Sequence, residues 1–415
     1  MNTSISRRTA LAGALSLAGA TGVTPRSWAA DPIKIGFSIP QTGPLAANGL
    51  AVLLSAQIWE ADVNAKGGLG GRPVQLVFYD DQSNPSNVPR IYTKLLDIDK
   101  VDLVVTNGTN LTVPAMPIIM ERGKVAMVMF SLAINEKFHY DRFFQTMPYG
   151  PDGKASISEG FFEVGMAMTP KPQTVALVGA DAEFAKAAVT GARTQAKQRG
   201  LKVVYDRTYP PNTVDFGPVI RGIAASEPDI VYVGSYPLDT SGFIRAAHEL
   251  NFRPKLLGGG MVGTQSTSLK ADLGEMLNGV VSYDLYIPAA AKFFPEVAPF
   301  LQRYQARAGA AGTDPLGYYT PPFAYATFEI YAQAVAAVGL DDEKLAKYIH
   351  ATTFKTIVGD IAFGADGEWT RPRMLTVQFR GVKGHDVNQF TRPETEVILH
   401  PAQYQTSTLQ YPFGS

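Results

Sequence analysis

Two carboxylates stand side by side at Asp80-Asp81, ending the apolar run Val74-Gln75-Leu76-Val77-Phe78-Tyr79. Adjacent acids invite an acid–base reading, but neighbours along a strand point to opposite faces and are poorly placed to share a proton. Capping of the loop that follows is the better use of both. The histidines (His139, His248, His350, His385 and His400) are scattered, with none at i, i+4 beside another and no carboxylate pair to complete a metal set. There is no G-x-S-x-G elbow and no cysteine, which removes the usual serine-hydrolase signature, thiol catalysis and disulfides. Gly258-Gly259-Gly260-Met261-Val262-Gly263 has the spacing of a dinucleotide fingerprint, and Asp284 lies near the offset of its ribose acid, about 20 residues on. That motif should open its domain, whereas here it comes late, so a glycine-rich cleft loop is expected there instead. Among aromatics only those at strand ends count toward stacking on a planar ligand, which singles out Tyr236, then Tyr283 and Tyr286. The chemistry these residues offer is recognition, not turnover.

The elements that must hold them alternate between strand and helix. Ile33 to Ser38 reads as a buried strand, followed by the loop Pro40-Gln41-Thr42-Gly43-Pro44-Leu45-Ala46-Ala47-Asn48-Gly49. Leu50, Leu53, Leu54 and Ile58 then recur at helical spacing, glycines 67 to 71 stop that helix, and Val74 to Asp81 is the next strand. A β-helix-β unit of this kind builds a parallel sheet, and its strand-to-helix loops are where open α/β sheets hold ligands. Strands at Leu103–Val105 and Val125–Phe130 continue the series to four. A second series starts at Thr174–Val178 and runs through Lys202–Tyr205, Asp229–Val233 and Leu256-Leu257. The predicted fold class is therefore α/β, with two doubly wound parallel-sheet lobes.

Length and composition agree. The 415 residues exceed one comfortable domain, and 46% apolar with 18% charged content suits a compact chain. Lys plus Arg equals Asp plus Glu at 37 each, so no basic excess points to nucleic acid or an anionic membrane. At the N-terminus, Arg7-Arg8 precedes a short Ala-, Gly- and Leu-rich run, and Ser27-Trp28-Ala29 carries small residues where a signal peptidase reads. Residues 1–29 are expected to be a twin-arginine export signal, whose removal leaves 34 basic against 37 acidic residues, a net charge of −3. With no cysteine for lipid attachment, a soluble, unanchored periplasmic product follows.

The loop Thr42-Gly43-Pro44-Leu45-Ala46, the turn Asn64-Ala65-Lys66-Gly67-Gly68-Leu69-Gly70-Gly71-Arg72 and the strand end Asp80-Asp81-Gln82-Ser83-Asn84-Pro85 resemble, in that order, the amino acid and amide (Leu/Ile/Val-binding-like) family of type I periplasmic binding proteins that serve ABC importers. The resemblance continues more loosely along nearly all of the mature chain. It implies two hinged lobes crossed three times by the chain, with residues 31–149 and 280–356 in lobe 1 and residues 150–279 and 357–405 in lobe 2. It implies a monomer without cofactor that captures a small solute and presents it to an ABC permease and its ATPase subunits. It also places cleft residues at Asn48, Thr109, Asn110, Ser131, Ala133 and Asn135 in the first lobe, and at Phe184, Tyr236 and Gly260 in the second, with Tyr283 beside a crossing. Family members that bind amino acids commonly carry an acid near Gly260 to hold the α-ammonium group. Its absence here, short of substitution by Asp181, Glu183 or Asp239, sets an amide, a carboxylate or an aromatic acid beside a small amino acid as the expected solute, since a buried ammonium without a counter-charge is costly. An envelope sensor with the same fold, or an exported α/β enzyme, are the other functions such a chain could serve.

Overall fold

A computed structural model describes residues 31–211 and 213–414; the predicted export signal lies outside the described residues. The first sheet is built from β1 (Ile33–Ile39), β2 (Val74–Asp80), β3 (Leu103–Asn107), β4 (Ala126–Met129) and β5 (Phe143–Gln145), all parallel, in the order β2-β1-β3-β4-β5. The helices between them are α1 (Ala46–Ala65), α2 (Val88–Thr93, running on as a π turn over Lys94–Ile98), α3 (Thr109–Glu121) and the short α4 (Asn135–Phe138). The chain then passes to the second sheet through α5 (Gly153–Met166). That sheet takes β6 (Thr174–Ala180), β7 (Lys202–Tyr209), β8 (Ile230–Ser235), β9 (Leu256–Met261) and β10 (Val281–Asp284), connected by α6 (Glu183–Gln198), α7 (Gly217–Ala224), α8 (Pro237–Glu249) and α9 (Thr267–Leu273). Its parallel part runs β7-β6-β8-β9-β10, the same winding as the first sheet. The two lobes repeat one topology.

After β10 the chain returns to the first lobe with α10 (Val297–Ala308), α11 (Pro321–Val338), α12 (Asp342–Ala351) and the hairpin of β11 (Phe354–Thr356) and β12 (Gly359–Ile361). Helix α11 lies against α1 and β4, and the Tyr331 hydroxyl donates to the Val104 carbonyl at 2.7 Å. Finally β13 (Leu375–Phe379) and β14 (Glu396–His400) add two antiparallel strands beside β10, completing the seven-stranded second sheet. The chain thus changes sheets three times.

Two crossings fall later than their sequence expectation. Residues 281–284 belong to the second sheet, with Val281 opposite Gly258 and Ser282 opposite Gly259, so the return to lobe 1 begins after Asp284 and not near 280. Likewise β11 and β12 form a hairpin packed on α11, so residues 357–361 stay with the first lobe and the last crossing precedes Leu375. The reason is common to both. A short apolar strand does not name its partner, and only the register across the sheet does. The expected amphipathic α1 is instead buried on most of its surface, with Val52, Leu54, Ala56, Ile58 and Trp59 all enclosed between the sheet and helices α10 and α11.

Burial leaves a titration signature on α11. Glu329 accepts from the Ile357 amide at 2.9 Å, but loss of solvent dominates and lifts its carboxyl to about 7. The folded protein therefore holds this proton more tightly than the unfolded chain does. The group's contribution to stability is present below the unfolded value near 4.5 and is lost as pH rises through about 7. Glu329→Gln keeps an acceptor for Ile357, so it is expected to raise the melting temperature at pH 8 and leave it unchanged at pH 4. Melting curves at both pH values check this.

Candidate functional site

The carboxyl ends of the two sheets face one another across the lobe boundary. At the first, β1 runs into the loop before α1, and this loop is held by Asp80, whose Oδ1 accepts from the amides of Gln41 (2.9 Å) and Gln82 (2.8 Å) and whose Oδ2 accepts from the Thr42 hydroxyl (2.7 Å). Partial burial pushes this carboxyl up, and the combined hydrogen bonds overcome that to hold it below the usual range. Asp81 caps the following turn through Ser38 Oγ (2.6 Å) and the Ser83 amide (2.9 Å). Both acids serve loops. Gly49 lets α1 start against the strand end, since a Cβ there would lie 1.8 Å from the Pro40 carbonyl oxygen.

At the end of β3, Gly108 turns the chain at φ +78° into α3, its own amide bonded to the Met129 carbonyl at 2.9 Å. Thr109 and Asn110 are the first two residues of that helix, and first-turn amides have no intrahelical partner. Two N–H groups at the positive end of a helix are thereby offered to whatever lies in front of them, an arrangement that favours an anion. Behind them, the hydroxyls of Thr106, Thr112 and Ser131 form a buried chain of bonds at 3.0 and 2.9 Å.

An interlobe cavity of about 70 Å³ sits in front of this helix end, where one buried water would need roughly 10–15 Å³. Asn48, Thr109, Asn110, Phe184, Tyr236 and Tyr283 line it, so six of the ten residues expected at the site are brought together. Asn110 also joins the lobes. Its Oδ1 accepts from the Tyr236 hydroxyl at 2.9 Å and from the Phe184 amide at 3.4 Å, both on the opposite side of the cavity. Phe184 and Tyr236 meet edge to face at 6.0 Å, and burial pushes the Tyr236 phenol up to about 12.

The other four lie elsewhere. Ser131 is fully buried in the hydroxyl chain beneath α3, and its carbonyl accepts from the Gln145 side chain. Ala133, at φ +54°, and Asn135 border a separate pocket, and the Asn135 amide is used up on the Tyr140 and Asp366 carbonyls at 3.0 and 2.8 Å. Gly260 is inside β9 rather than in a cleft loop. Glycines 258 to 260 lie within that strand, and the first two must be glycine because a Cβ on Gly258 would lie 1.6 Å from the Val281 carbonyl oxygen and one on Gly259 would lie 2.4 Å from the Tyr232 ring. The glycine triplet is thus a packing device, and only Val262 beyond it reaches the cavity.

Several wall residues escaped the sequence reading: Asn107, Phe130, Met147, Tyr149, Tyr319 and Thr320. Tyr149 and Tyr319 come from segments near the crossings, where no periodicity marks them. Phe130 sits at φ +52°, a costly backbone for an aromatic, and its ring lies 6.2 Å from that of Tyr319. Tyr319 and Tyr283 share a hydroxyl–hydroxyl bond of 2.8 Å. Asn107 Oδ1 is buried without a hydrogen-bond partner. Among the described residues, no group of three His, Cys, Asp or Glu is arranged to hold a metal, and no single helix is long and apolar enough to cross a membrane.

Two lobes of one topology, three crossings and a cavity between sheet ends describe a two-lobed binding-protein architecture. The chain belongs to the periplasmic binding protein family, whose model matches residues 32–384. It is 26% identical over 351 residues to the leucine-, isoleucine-, valine-, threonine- and alanine-binding protein of Pseudomonas aeruginosa, covering 84% of this chain and 90% of that one. Among solved structures it resembles a leucine-binding protein from Thermotoga maritima (TM-score 0.72, 19% identity, 84% and 96% coverage). A solute-binding protein of an ABC transporter from R. palustris, in complex with 4-hydroxybenzoate, is similar to the same degree (TM-score 0.73, 20% identity, 86% and 95% coverage). The expected family and fold class are both borne out.

Proposed function

We propose that this protein is the periplasmic solute-binding component of an ABC importer, taking up a small carboxylate-bearing solute in the interlobe cavity without a catalytic step. The observation that carries the reading is the pair of free amides of Thr109 and Asn110 facing a cavity whose wall is shared by both lobes. An open form would bind the solute on the first lobe, and closure would add Phe184 and Tyr236 from the second. Differential affinity for the closed form is what shifts the hinge equilibrium. The closed surface, formed by both lobes, is what a permease and its ATPase subunits would meet, with the protein acting as a monomer. Relatives that bind branched-chain amino acids and a neighbour that holds an aromatic acid bracket the solute class.

A thermal-shift screen of the mature protein against amino acids, amides, short carboxylates and aromatic acids tests this. A cognate solute at a hundredfold its dissociation constant adds about 2.7 kcal/mol of stability, a readily visible rise in melting temperature. A screen in which no class shifts the transition, while one compound is chemically consumed, would sink the proposal in favour of an enzyme.

A further inference from the structure

The cavity wall has aromatic rings, hydroxyls and amides, but no Asp, Glu, Lys, Arg or His. The nearby acids make other contacts or border other pockets. Asp181 is exposed and ion-paired with Lys186, and Glu183 is exposed and borders a different pocket. Asp239 Oδ2 accepts from Tyr209 at 3.2 Å and from the Tyr236 amide at 3.5 Å, capping α8 from behind the wall. Asp284 follows Tyr283, but its carboxylate accepts from the amides of Leu285 and Tyr286. Glu368, buried without a partner for either oxygen, borders the pocket beside Asn135 and not this cavity. The position where an acid is expected is also tight. A Cβ on Gly260 would lie 3.0 Å from the Tyr232 hydroxyl and 3.2 Å from the Ala188 Cβ, so a side chain there requires both neighbours to shift.

What the wall offers is mainly hydrogen-bond donors, beside one unpartnered neutral acceptor, the Oδ1 of Asn107. The amides of Thr109 and Asn110 are free. The hydrogen bond between Tyr283 and Tyr319 uses one phenolic hydrogen and leaves the other, and the Tyr149 hydroxyl makes no hydrogen bond among the described residues. A wall with several free donors, one neutral acceptor and no anion selects a ligand rich in acceptors and lacking a cation. Phe130, Tyr149, Phe184, Tyr236, Tyr283 and Tyr319 bring six aromatic rings to the wall, which suits a flat apolar body.

We infer that the solute is an aromatic carboxylate with no ammonium group, its carboxylate at the N-terminus of α3 and its ring among the tyrosines. The inference rests on the interlobe cavity being the solute site. Calorimetric titration of the mature protein with benzoate, 4-hydroxybenzoate, phenylalanine and benzamide separates the possibilities. A benzoate-type acid is expected to bind at least a hundredfold more tightly than phenylalanine, which adds the ammonium, and than benzamide, which removes the charge. Phenylalanine binding as tightly as the acids would overturn the absence of a cation, and benzamide doing so would overturn the carboxylate. Should neither acid bind while another metabolite does, the inference fails. In that case the metabolite's loss of affinity in Tyr236→Ala would keep the cavity as the site, and unchanged affinity would remove the site as well.

Discussion

Tyr236→Ala is expected to weaken solute binding by about a hundredfold or more, while the empty protein melts close to the wild-type temperature. Two things are removed at once. The ring is a cavity wall packed edge to face on Phe184, and the hydroxyl makes the shorter of two lobe-2 hydrogen bonds to Asn110. A centrally placed tyrosine in an enclosed site typically accounts for about 2–4 kcal/mol of binding. Because the ring is partly exposed and already borders a cavity at the lobe boundary, its loss enlarges that cavity more than it empties either core. Tyr236→Phe separates the two contributions, since it keeps the wall and deletes one hydrogen bond of about 0.5–1.5 kcal/mol. That variant should lose roughly tenfold or less in affinity, and small-angle scattering should show it less closed without solute. Calorimetry giving unchanged affinity in Tyr236→Ala would end the assignment of this side chain to the site.

Lys270→Met is expected to be the most damaging single change to the second lobe. Lys270 and Glu396 form an ion pair of 2.6 Å, each with 2% of its side chain exposed, and Asp284 lies close enough to act electrostatically on both. The ammonium also sits 5.4 and 5.6 Å from the ring centres of Phe379 and Phe390. Burial, then the Glu396 charge, raises the Asp284 carboxyl well above its ordinary value, against the pull of Lys270. Without the lysine, two acids share a dry site with no cation, a loss of about 3–5 kcal/mol for a broken buried pair. The acids can escape that cost only by taking up protons, so the defect should be larger at pH 8 than at pH 5. Urea midpoints at the two pH values measure it, and an equal shift at both would show that packing, not charge, is what Lys270 supplies.

What could be seen in the chain beforehand was whatever local sequence dictates. The alternation of apolar runs, helical periodicity and glycine stops predicts parallel lobes, and the strand-end loops place Asn48, Thr109, Asn110, Phe184 and Tyr236 on one cavity. The choice between a loop and a strand for Gly258 to Gly260 was not visible, because it depends on Val281 and Tyr232 pressing from either side. Asn135 looks like a ligand-binding amide until Tyr140 and Asp366 are seen to occupy it, the latter 231 residues away. Tyr149 and Tyr319 are brought to the wall by the path between lobes, and no neighbour in sequence announces that path. Local pattern names elements, and long-range packing assigns their roles.

The position of β13 and β14 bears on how the molecule comes into being. β10 ends with one edge on β9, and its other edge is covered only by residues 375–379, made after three helices of the opposite lobe. A nascent or truncated chain ending before Leu375 therefore displays an open strand edge of the kind that templates aggregation. Neither lobe can be completed in isolation along the ribosome's order of synthesis, so the molecule matures as one unit after its last strands are made.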